Sequence, residues 1–177
     1  MGIQIGAKPD SGFDDPIGML SDCHRRIEHF LNILCVVAER AQGAAMNEEE
    51  SAAVEAALQY FRVGGQRHNA DEEDSVFPRL RASAQPEDLS EIESLESDHK
   101  EAGTLHETVE RLYRDWNAAK SLSGADHAAL LSATERLRRL YTEHIRMEEQ
   151  VVFPRASRLL SRAAIDAIGE EFRARRG

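Results

Sequence analysis

His68-Asn-Ala-Asp-Glu72-Glu73-Asp-Ser-Val76-Phe77-Pro78-Arg79 and His144-Ile-Arg-Met-Glu148-Glu149-Gln-Val-Val152-Phe153-Pro154-Arg155 are two spellings of one pattern. They stand 144 − 68 = 76 residues apart. In each, a histidine and a glutamate occupy i and i+4, one turn apart on one helix face, so both side chains reach the same point. Two such faces turned toward each other would gather two imidazoles and two carboxylates around a shared centre. That is the composition of a metal site, and it demands helices.

Outward from these stretches the helical signals continue, and no segment alternates like a strand. Asp14-Asp15-Pro16 reads as an N-cap followed by proline in the first turn, opening a helix that carries Leu20, His24, Ile27, Leu31 and Leu34 up to Gly43. Asn47 with Glu50 is a capping box for a second helix running through His68 to about Leu80. Gln85-Pro86-Glu87 opens a third, which carries Leu95, His99, Val109 and Leu112. After the break at Ser121 to Gly124 a fourth runs from about Ala125 past His144, and a short fifth follows Ser161. Pro78 and Pro154 predict a kink or an end in helices 2 and 4.

The repeat extends to partner histidines. His24 and His99 are 75 residues apart; His24 precedes His68 by 44, and His99 precedes His144 by 45. Helices 1 and 2 therefore form one αα-hairpin, and helices 3 and 4 its relative. Packed together they give an all-α, up-down-up-down four-helix bundle whose facing helices build the site. The expected division is an N-terminal extension over 1–13, the bundle over 14–160, and a C-terminal helix over 161–177, packed on or trailing it.

Length and charge narrow the rest. A chain of 177 residues is ample for one domain with a real core. No run approaches eighteen apolar residues and Met1 to Phe13 lacks a signal-peptide plan, so the expectation is a cytoplasmic protein with no membrane partner. With 32 acidic against 22 basic residues the net charge is −10, a surface that repels nucleic acid. Arg173-Ala-Arg175-Arg176 is expected to meet the dipole of a helix C-terminus. Cys23 and Cys35, with no CxxC, fit free thiols in a reducing compartment.

His24, His68, Glu72, His99, His144 and Glu148 are the candidate ligands. Four imidazoles and two carboxylates exceed what one tetrahedral zinc takes, and suit two ions with two histidines each and both glutamates bridging. Nitrogen and oxygen donors without thiolate favour iron or manganese over copper(I) or calcium. Two divalent ions bring +4, the carboxylates −2 and a bridging hydroxide −1, leaving a charge that a bundle interior tolerates. The same carboxylates without a cation would be costly to bury.

These residues resemble the hemerythrin-like (HHE cation-binding) family over nearly the whole chain. The resemblance lies in His24 within Cys23-His24-Arg25-Arg26-Ile27-Glu28, in His99 within Glu96-Ser-Asp-His99, and in the two His-x-x-x-Glu-Glu-x-x-Val-Phe-Pro stretches. It implies a non-haem di-iron centre on those six residues, bridged by oxo or hydroxo and two glutamates, with manganese or zinc as substitutes. It also implies oxygen binding or a role in stress response, with a small diatomic or peroxide ligand. The oxygen carriers of the family use a further histidine one turn after the first on helix 3, where this chain has Gly103. That makes the site more open and weakens the reversible-carrier reading; the expectation is a protein that binds, senses or reduces dioxygen, peroxide or nitric oxide. Iron storage or donation for cluster repair, or a structural metal-binding bundle, are the alternatives. Residues 1–13 carry no cysteine, unlike the cysteine-bearing N-terminal region of the repair proteins.

Other polar residues read differently. His106, two turns and roughly 10 Å beyond His99, is expected as a pocket histidine or proton relay. Glu73 and Glu149, turned about 100° from the bridging pair, are expected at the rim or as acceptors for ligand imidazoles. Tyr141 is expected to pack as an aromatic or hydrogen-bond a bound oxygen species. Glu28 and His29 are expected in solvent and His127 at a helix start. Glu96 with His99 is a lone ExxH, and the ferritin-like plan needs two.

Overall fold

The computed structural model describes residues 10–83 and 89–177, and among them the chain is helical without a strand. Helix α1 is Pro16–Ala41: the Asp15 carboxylate accepts from the Gly18 amide, and Pro16 occupies the first turn, where its missing N–H costs nothing. It ends at Gln42 and Gly43, both with positive φ (48° and 77°), the left-handed pair that closes a helix. Helix α2 spans residues 48–83 and begins with the capping box of Asn47 and Glu50. Helix α3 is Leu89–Ala119, α4 spans 124–159 from the Ser123 cap, and α5 is Arg162–Arg176 from the Ser161 cap. The start predicted at Gln85-Pro86-Glu87 lies outside the described residues.

Helices α2 and α4 do not end at their prolines. Each passes through a five-residue π turn, Glu72–Val76 in α2 and Glu148–Val152 in α4, and resumes as α-helix at Phe77 or Phe153. The backbone stays in the right-handed helical region through both junctions. The wide turn shifts the hydrogen-bond register just where Pro78 and Pro154 have no N–H to give, so a break becomes a bulge. Helix α2 carries another π turn at Phe61–Gly65, before His68.

The four long helices form a ring, α1 against α2 and α4, α3 against α2 and α4, while α5 lies across α1 and α2. Gly169 of α5 presses on the Phe13 carbonyl, where a Cβ would collide. Two apolar clusters fill the interior. One contains Ile27, Phe61, Ala102 and Tyr141. The other contains Leu20, Val76, Leu95, Phe153 and Phe172. Between them, at His24, His68, Glu72, His99, His144 and Glu148, every helix of the ring contributes a buried polar side chain to one layer.

Candidate metal centre

All six side chains named from the sequence are buried and meet in that layer. They fall into two groups: His24, His68, Glu72 and Glu148, and His99, His144, Glu72 and Glu148. Within each group one donor atom per residue lies within 4.8 Å of all the others. Each histidine turns Nε2 inward. The carboxylates divide their oxygens between the groups. Glu72 sets Oε1 3.3 Å from His68 Nε2 and Oε2 3.3 Å from His99 Nε2. Glu148 sets Oε1 3.2 Å from His144 Nε2 and Oε2 3.0 Å from His24 Nε2.

Among the described residues, most of these inward atoms find no hydrogen-bond partner of acceptable geometry. His24 Nε2 and all four oxygens of Glu72 and Glu148 are buried and unsatisfied. Buried carboxylates normally collect donors, and leaving several oxygens bare is costly. A cation beside them supplies the missing partner, so the donor set fits a pair of ions that prefer nitrogen and oxygen.

Charge alone makes the layer uneasy. Burial and the neighbouring Glu148 push the Glu72 carboxyl well above its ordinary range. Burial works against the charged form of Glu148 too, but His144 and His24 overcome it and hold this carboxyl low. For His24, burial is outweighed by Glu148 and Glu149, which raise it to about 10. Burial and the facing His24 push His68 the other way.

Three of the four outer nitrogens are held by a second set of carboxylates. His24 Nδ1 stands 2.7 Å from Glu149 Oε1, His99 Nδ1 2.7 Å from Glu73 Oε1, and His144 Nδ1 3.2 Å from Asp98 Oδ2. Glu149 is itself steadied by the Ser21 hydroxyl at 3.1 Å. An imidazole that donates Nδ1–H to a carboxylate is locked with Nε2 free as a ligand. Glu73 and Glu149 are thus acceptors, one of the two roles their angle suggested. Asp98 was missed, although its place next to His99 is where a side chain reaches toward helix α4. Phe153 stacks on His24 at 5.4 Å and Phe77 on His99 at 6.3 Å, which gives the repeated Val-Phe-Pro its work.

The remaining candidates sort themselves by position. A cleft of about 150 Å³ between α2 and α3 is lined by Phe61, Gln66, Asn69, Gly103, His106 and Tyr141. His106 Nε2 and the Tyr141 hydroxyl are 3.0 Å apart, and burial lowers the His106 pKa to about 4. Glu28 and His29 are exposed, and His127 hydrogen-bonds the Ala38 carbonyl at 2.9 Å. Glu96 is engaged with Arg81 at 2.7 Å. Cys23 and Cys35 are free and buried.

Comparison with known proteins agrees with this geometry. The sequence profile of the hemerythrin HHE cation-binding domain matches residues 15–156. The chain belongs to the hemerythrin HHE family. It is also 27% identical over 169 residues to a protein of Haemophilus influenzae described as uncharacterized, covering 93% of this chain and 91% of that one. As a hemerythrin-type bundle with buried histidine and glutamate clusters, it has the makings of a metal-binding protein with a small ligand. No helix among the described residues is long and apolar enough to cross a membrane.

Proposed function

We propose that this hemerythrin-type chain is a non-haem di-iron protein that binds or reduces dioxygen, peroxide or nitric oxide. The metal ligands are His24, His68, Glu72, His99, His144 and Glu148. The observation that carries the reading is the division of oxygens: both glutamates offer one to each pair of histidines, as bridging carboxylates would. When bound, two irons supply Lewis acidity and electrons.

The protein's own share is orientation, shelter and access. Glu149, Glu73 and Asp98 fix three imidazoles in the tautomer a ligand needs. The apolar clusters on either side of the layer exclude bulk water. Gly103 leaves open space one turn from His99, where a Cβ would touch nothing within 4 Å, and the cleft beside it admits a small molecule. At its wall His106 and Tyr141 hold a proton between them.

Metal analysis of the purified protein, followed by optical spectra of the reduced form exposed in turn to dioxygen, peroxide and nitric oxide, tests the proposal. Two irons per chain and a spectral response to one of these ligands are expected. A single tightly held zinc with no response would overturn it.

A further inference from the structure

The two halves of the layer differ at one atom. Three of the four imidazoles give Nδ1 to a carboxylate, whereas His68 Nδ1 is buried with no hydrogen-bond partner among the described residues. The sequence repeat shows why. His24 corresponds to His99 and His68 to His144, so the residue that corresponds to Asp98, the partner of His144, is Cys23. Where one half has a carboxylate, the other has a thiol. Its sulfur is engaged with Arg26 Nη2 at 3.3 Å.

We infer that the two metal positions are unequal: the His99/His144 position fills first, and the His24/His68 position is the weaker and more readily exchanged. This rests on the two-ion reading above. The physical cause is a tautomer. A neutral imidazole carries one proton, and binding an ion through Nε2 forces it onto Nδ1. At His24, His99 and His144 a carboxylate accepts it there. At His68 no described residue does, so the ligand form strands a buried donor. Without an ion, His68 can keep the proton on Nε2, 3.3 Å from Glu72 Oε1, and an arriving ion must displace it. Loss of such an outer partner typically lowers metal affinity by about 10–100-fold. The weaker position therefore trails by roughly that ratio.

Anaerobic titration of the metal-free full chain with Fe(II) or Co(II), with crystals grown at one equivalent, separates the outcomes. At one equivalent the anomalous density should lie between His99 and His144. Asp98→Cys, on a partly exposed residue, makes the halves alike: it should weaken the first step about tenfold or more and level the two densities. Glu149→Gln should weaken only the second step. Cys23→Asp should strengthen the second step; if that variant does not fold, Asp98→Cys decides alone. Equal densities in the wild type, density favouring His24/His68, or an unchanged first step in Asp98→Cys would overturn the inference while leaving the two-ion reading intact. Saturation at one ion, or none, overturns both.

Discussion

Glu149 is the neighbour of Glu148 in sequence but serves a different helix: its Oε1 stands 2.7 Å from Nδ1 of His24 on α1. Glu73 does the same for His99 on α3. Each His-x-x-x-Glu-Glu motif thus supplies a ligand histidine, a shared carboxylate and an outer brace for the histidine of a facing helix. Because both braces are more than a third exposed, their removal should leave the fold intact. Glu73→Gln and Glu149→Gln are each expected to lower metal affinity by about 10–100-fold. Chelator competition measures this, and a large drop in the melting temperature of the metal-free variants would show that the braces hold the fold instead.

A buried ion cluster ties the C-terminal helix to α2 beside the metal layer. Arg175 and Arg176 stand in the last turn of α5, as expected, and Arg176 Nη1 donates to the Phe172 carbonyl at 2.9 Å; both also reach across to Asp71, a fully buried carboxylate one residue before Glu72. The order of costs follows from where each charge can go. Deleting both arginines strands a buried charge, at about 3–5 kcal/mol. Asp71→Asn removes that charge and leaves two partly exposed guanidiniums that water can reach, so it should cost less. Urea unfolding of Arg175→Ala with Arg176→Ala against Asp71→Asn checks the ranking.

What could be read in advance follows a physical line. The caps at Asp15 and Asn47, and the ligands at helical spacing, are local signals, and the helices carry them to the expected place. The π turns were not legible, because Pro78 and Pro154 state only that an N–H is missing, and a widened turn solves that as well as a helix end does. Asp98 and the Arg175–Asp71 pair depend on which helix faces which, and no spacing along one helix encodes that.

A pH signature should come from His106. Burial holds its pKa near 4, below the ordinary 6.5, so the folded state prefers the neutral ring. Its contribution to stability is fully present above pH 6.5 and is lost as pH falls toward 4. The difference in unfolding free energy between wild type and His106→Phe should be flat above 6.5 and drift in favour of the variant below it. A difference that stays constant from pH 7 to 4 would place His106 in water in the folded protein.

Gly103 offers a test in which stability and access separate. It sits inside α3 with nothing within 4 Å of a would-be Cβ, so Gly103→Ala should stabilise the helix by about 0.5–1 kcal/mol without a clash. It also lines the cleft of about 150 Å³ beside His106 and Tyr141. A phenyl ring there would occupy much of that space. Gly103→Phe is therefore expected to retain the wild-type metal content and to bind nitric oxide or dioxygen several-fold more slowly by stopped-flow. Gly103→Ala should bind at nearly the wild-type rate. If Gly103→Phe binds as fast as the wild type, small ligands reach the layer by another route, and the cleft serves some other purpose.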